Sequence, residues 1–148
     1  MGEVFSKEVP DLFTSHFDHL IASAISVEVI KERGYRTVMG KVELSGMGFS
    51  PSQQRVPAIL IPLHGVDRQI VGHQLRPDHP REQTSQAGKV KKIKYENPAG
   101  SSVRLDVPAR CQKDLSNPAV PLYFTEGVKK GDALATAGAC AVDLTGVW

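Results

Sequence analysis

The stretch from Pro121 to Leu144, PLYFT-EG-VKKGDALATAG-ACAVDL, constrains the fold more than any other part of the chain. A short apolar run ends at Glu126-Gly127, a helical run from about Val128 to Ala137 stops at Gly138, and a second apolar run follows. Strand, helix and strand in that order make a β-α-β unit with parallel strands and a right-handed crossover. Leu122 and Phe124 then share one sheet face and Tyr123 takes the other. Two parallel strands under one helix make little of a covered sheet, so the unit reads as the opening of a larger α/β domain. The reading frame is therefore expected to continue past Trp148, itself taken as a core or edge packing residue, toward an apolar strand ending in Asp-x-Asp.

Upstream the periodicity changes twice. Phe17, Leu20, Ile21 and Ala24 recur at helical spacing from Thr14 to Ala24. Ser26 precedes VEVIKERG as an N-cap, and Gly34 is placed to end that second helix. A further helical turn or two is expected from Thr37 to Leu44, and Ser50-Pro51 offers a cap with proline at the first helical position. Val56 to Leu63 and Gln69 to Leu75 are β-branched-rich runs around HGVDR and read as a hairpin. Residues 77–92, with two prolines and almost no apolar content, read as an exposed mobile loop. Short extended pieces at Lys91–Tyr95 and Val103–Val107 are expected to extend the hairpin sheet. The expected class is α+β: a helical lead-in over 1–55, a basic hairpin and loop region over 56–118, and the β-α-β unit over 119–148.

A chain of 148 residues with 41% hydrophobic content suits one core. Its net charge of +2 points to no partner, but its distribution does. Residues 68–113 carry ten basic against four acidic side chains, a local phosphate-attracting patch or, equally, a solvated loop. Cys111 and Cys140 have no paired spacing, which suggests neither a disulfide framework nor a cysteine zinc site. No run is long enough for a membrane span, and the polar start MGEVFSKEVPD has no apolar core of a signal peptide. A cytoplasmic protein is expected.

Two strings together resemble a known pattern. VPAILIPLHGVDRQIVGHQLRP followed by KIKYENPAG is similar to the segment just before the Toprim domain in bacterial-type DNA primase catalytic cores. PLYFTEGVKKGDALATAGACAVDLTGVW resembles the opening β-α-β of Toprim itself, with its strand-terminal Glu-Gly. With the lead-in ISVEVIKERGYRTV, the likeness is greatest to uncharacterised Toprim-like domains in primase and helicase proteins of phages and mobile elements, over about residues 20–148. The resemblance implies DNA replication, single-stranded DNA as ligand, a replicative helicase domain or partner nearby, and Mg²⁺-dependent nucleotidyl transfer in a complete domain. Toprim enzymes hold metal with a first-strand glutamate and a later Asp-x-Asp pair. Glu126 matches the first; Asp143 has Thr145 two residues on and no second aspartate. The cysteine-histidine zinc module of many primases is also missing, so no zinc is expected, and the chain alone is expected to be inactive.

The candidate site follows from both lines. Glu126 stands at the carboxyl end of a strand, where α/β sheets place ligands, as a catalytic and metal-binding candidate or simply as a carboxylate at a helix N-terminus. Lys129 and Lys130 lie in the first helical turn, where positive charge opposes the macrodipole; they are candidates for a phosphate, or ordinary exposed lysines. Arg76, Lys91, Lys92, Lys94 and Tyr95, with Lys89, combine cations with an aromatic, a composition suited to single strands. Arg76, Lys94 and Tyr95 also match the primase pattern. His16 and His19, one helical turn apart, offer half a metal site that nothing completes. The alternatives are a non-catalytic nucleic-acid-binding module of a mobile-element replication complex, and a small interaction protein docking through an incomplete sheet edge.

Overall fold

The computed structural model describes residues 2–145. Trp148, expected as a packing residue, lies outside them. Helices α1 (Thr14–Ala22) and α2 (Val27–Arg33) open the chain. The Ser26 hydroxyl accepts from Val29 N at 3.3 Å, and Gly34, at φ +82°, ends α2 in the left-handed conformation glycine tolerates best. Thr37 departs from the expected helix. It lies in strand β1 (Arg36–Val38), and α3 (Lys41–Gly46) starts only after Gly40. The reason is tertiary: β1 pairs antiparallel with β2 (Ala58–His64), which overrides local helical spacing. Ser50-Pro51 begins a turn, not a helix.

β2 and β3 (Ile70–Pro77) form the expected hairpin, and the sheet order is β1-β2-β3. Every residue of β2 is buried because its two faces feed two cores. Ile59, Ile61 and Leu63 pack with Leu20, Ile25, Val29 and Ile30, while Ala58 and Leu60 pack with Val38, Leu44, Phe49 and Leu75. Beyond Leu60 the strand has no β1 partner, and Pro62 is accommodated there without breaking a central ladder.

Residues 77–92 are exposed for the most part, yet not a featureless loop. β4 (Glu82–Thr84) and β5 (Val90–Lys92) pair antiparallel as a small sheet of their own. β6 (Arg104–Asp106) also departs from expectation: it leaves the hairpin sheet and joins the last unit. A 3₁₀ turn (Ala109–Asp114) leads to β7 (Leu122–Glu126), α4 (Val128–Thr136) and β8 (Cys140–Thr145). β7 and β8 are parallel, as the sequence predicts, and β8 lies between β6 and β7 in the order β6-β8-β7. The register puts Leu105, Leu122, Phe124 and Leu144 on one face, and all four are exposed. The two cysteines are free, buried and close: Ala141 N donates to Cys111 Sγ at 3.4 Å.

A buried ionic hub joins the pieces. Arg33 donates to Asp132 of α4 through Nε (3.1 Å) and Nη2 (2.8 Å), to Asp106 of β6 through Nη2 (2.8 Å), and to the Pro62 carbonyl (3.2 Å). Tyr35 Oη donates to Asp132 at 2.6 Å, and His64 N to Asp106 at 2.7 Å. Burial alone would lower the Arg33 pKa, but the carboxylates of Asp132 and Asp106 more than offset it and hold the guanidinium charged. Asp143, opposite Asp106 in the ladder, is pushed up to about 10 by burial and then by the neighbouring Asp106 carboxylate. It is therefore a neutral acid at pH 7, facing the backbone of Gly131, where a Cβ would collide with its carboxyl group.

Candidate nucleic-acid interface

The segment after β5 is fixed to the hairpin sheet by two backbone hydrogen bonds, Leu75 N to Glu96 O (2.9 Å) and Glu96 N to Leu75 O (2.8 Å). The Glu96 side chain is buried and held by Arg81 and by Gln53 Nε2, which donates to it at 2.9 Å and to the Asn97 carbonyl at 2.7 Å. Gln74 Nε2 donates to Asn97 Oδ1 at 3.3 Å. Lys94 and Tyr95 are thus presented from an anchored backbone. Tyr95 itself is half-buried against the core cluster that α4 also joins through Val128. Its ring is held in place instead of splaying freely from a loop, and the Lys129 ammonium lies 5.9 Å from its centroid.

The opposite wall comes from the β7–α4 junction. Gly127 has φ +87° and ψ 136°, a conformation that side chains rarely adopt, and it turns the chain sharply from strand into helix. Glu126 is left exposed at the strand end, with Lys129 half-buried and Lys130 exposed in the first turn of α4. Between the walls is a cleft of about 1220 Å³ lined by Lys91, Lys92, Lys94 and Tyr95 on one side and by Glu126, Lys129 and Lys130 on the other. Arg76 does not line it, but its charge acts on both Tyr95 and Lys129 and raises the positive potential there. Residues from two distant stretches of sequence therefore share one concavity.

Burial, followed by Arg76 and Lys94, brings Lys129 down to about 8. Its ammonium meets His19 Nε2 at 2.7 Å and Ser23 Oγ at 3.1 Å. Burial, then Lys129, Arg76 and His16, pushes His19 down to about 4, so it is the neutral acceptor of this contact. His16 plays no part in the cleft: it is buried, with Nδ1 2.7 Å from Thr37 Oγ1 and Nε2 2.8 Å from Asp78 Oδ1. The sequence alone misses Gln53, Gln74, Arg81 and Asn97 as the framework of the basic wall. Only the KIKYENPAG string hints at Asn97.

The residues do not complete a Mg²⁺ site. Octahedral Mg²⁺ needs more than one carboxylate or a substrate phosphate, and among the described residues no three His, Cys, Asp or Glu side chains come together to hold a metal. Asp143 pairs with Thr125, one residue before Glu126, so it points to the opposite face of the sheet from Glu126. It cannot join Glu126 at a metal, and no metal-dependent step is assigned to these residues. Nor is any helix among the described residues long and apolar enough to cross a membrane.

Comparison with known proteins agrees with this geometry at the level of fold. Residues 112–148 match the model of a domain of unknown function (DUF3854). No curated protein matches the chain. Over 88% of its length the chain is similar to a structure of the DnaG primase catalytic domain bound to ssDNA, at 20% identity and a TM-score of 0.59. It is equally similar to a structure of the DnaG catalytic core, at 19% identity and a TM-score of 0.61, again over 88% of the chain. The chain spans 46% of each of those structures. Its fold is thus that of part of a DnaG-type primase catalytic core, with α+β architecture.

Proposed function

We propose that this chain is a nucleic-acid-holding module of a primase-related DNA replication protein, and that single-stranded DNA lies in the cleft between the basic wall and the β7–α4 junction. The observation that carries this reading is the convergence of Lys91, Lys92, Lys94, Lys129 and Lys130 on one concavity. No base-reading motif accompanies them, so the contacts are to phosphates and little sequence preference is expected. The DnaG catalytic domain of similar fold was solved bound to ssDNA, which supports the same choice of ligand. Fluorescence anisotropy with labelled oligonucleotides across a salt series tests it. Affinity should fall steeply with salt and drop further in the Lys91→Glu/Lys92→Glu/Lys94→Glu protein; binding indifferent to both would refute the reading.

Nucleotidyl transfer, as the Toprim resemblance implies it, requires Mg²⁺-binding carboxylates in addition to Glu126. In our reading residues 2–145 supply the grip and not the chemistry. The purified chain should make no primer in the presence of Mg²⁺ and nucleotides. A product that disappears in Glu126→Gln would contradict this.

A second reading is favoured by the apolar face of the last sheet. Leu122 and Phe124 of edge strand β7 are exposed on it, as are Leu105 and Leu144. Such a surface suits docking of another part of a replication assembly, a helicase domain among them.

A further inference from the structure

Lys129 differs from the other cations of the cleft in being held from beneath. Helix α1 supplies both of its contacts, His19 Nε2 and Ser23 Oγ, and both are neutral acceptors, which leaves one of its three N–H bonds uncommitted. No carboxylate lies at ion-pair distance from it among the described residues. The charges that act on it most strongly are Arg76 from β3 and Lys94 from the segment after β5, both positive. Tyr95 lies beneath the ammonium. Glu126 and Lys130 line the same cleft from its own junction, Glu96 on the far wall is taken up by Arg81, and Asp78 is engaged by His16. Lys129 and Lys94 therefore share one cleft, with the charge of Arg76 added from outside its lining and no carboxylate paired to Lys129, an arrangement complementary to a phosphate group.

We propose that Lys129 and Lys94 form a phosphate seat in the cleft, with Arg76 adding to its positive potential from outside the lining, and that seating a phosphate, from a nucleic-acid backbone or a free polyphosphate, draws a proton from solvent onto Lys129. The seat rests on reading the cleft as a nucleic-acid interface. In the free protein the three cations repel one another, and burial adds to the cost of charging Lys129, which brings it down to about 8. A bound phosphate reverses the electrostatic sign and restores the ammonium. Below about pH 8 Lys129 already carries its proton, and affinity is flat. Above that the proton must be taken up with the ligand, so affinity falls by up to about tenfold per pH unit. Tyr95 does not interfere, since burial raises its pKa above the ordinary tyrosine value.

The test uses the full chain with two probes, tripolyphosphate and a labelled oligothymidylate. Titration calorimetry near pH 8.5, in buffers of different ionisation enthalpy, counts the protons exchanged. The expected result is uptake of roughly half to one proton with either probe. Lys129→Met should abolish the uptake and weaken binding about tenfold, and Lys130→Met should leave the uptake in place. Lys129→Arg, which keeps a fixed charge, should bind without uptake and controls for any loss of folding in the methionine variant. Uptake that persists in both Lys129 variants, or that is absent in the wild type, overturns the seat. Tripolyphosphate binding with uptake but no oligonucleotide binding would uphold the seat and refute the nucleic-acid reading; oligonucleotide binding without uptake would do the reverse.

Discussion

Asp143 shows how far a single residue can sit from its sequence-level reading. On strand ACAVDL it is a candidate metal carboxylate lacking its partner; in the structure it is a buried acid with neither oxygen hydrogen-bonded in the geometry described. Its sequence neighbours are apolar, and Asp106 and Gly131 reach it only through tertiary pairing. The pH dependence follows from linkage. Above about pH 4 the carboxyl ionises in the unfolded chain but stays protonated in the folded one to about 10, so the unfolded state binds fewer protons and stability falls as pH rises through this window. Asp143→Asn keeps the shape of the neutral acid and removes that proton linkage. Its thermal midpoint at pH 7 should rise by at least about 1 kcal/mol, roughly 2–4 °C for a chain of this size, and the gain should disappear near pH 4. Gly131→Ala should have the opposite sign, costing about 1–3 kcal/mol by forcing a methyl group into the Asp143 carboxyl. Chemical denaturation of the two variants at pH 4 and pH 7 checks both.

At the scale of elements, legibility followed the locality of the stabilising contacts. α2 was readable because Ser26 and Gly34 mark its ends within the sequence itself, and β7–α4–β8 because glycines punctuate an apolar pattern. β1 was not, because RTV becomes a strand only by pairing with β2, and β4–β5 was not, because two three-residue polar strands carry too little periodicity to read. The latter hairpin also yields a prediction. Every residue of β4 and β5 is exposed, and they pair only with each other. Replacing residues 82–92 with a short Gly-Ser linker should then change stability by less than about 0.5 kcal/mol. It also removes Lys89, Lys91 and Lys92 from the proposed DNA path. The log–log salt slope of oligonucleotide binding should become shallower by about 2, at roughly 0.7 per lost phosphate contact on a single strand. An unchanged slope would place the DNA elsewhere.

For the molecule as a whole, the Arg33 hub and the cleft are two results of one arrangement. Arg33 sits at the end of α2 and meets Asp106 and Asp132 from elements remote in sequence, so no local pattern signals it; yet it ties α2, the hairpin sheet and the last sheet together. That tie sets the β7–α4 junction against the basic wall. Removing the guanidinium leaves two carboxylates buried without their cation, a change that costs about 3–5 kcal/mol in comparable settings. Arg33→Leu should therefore be strongly destabilised, and at temperatures where it still folds its oligonucleotide affinity should fall, although Arg33 touches no part of the cleft. Backbone amide shifts of the ¹⁵N-labelled chain, followed by NMR during titration with an oligothymidylate, test the central claim most directly. The account predicts salt-sensitive perturbations on both walls together, at residues 91–97 and at 126–130. Perturbations confined to the exposed face around Leu105, Leu122 and Leu144, or none on either wall, would contradict it.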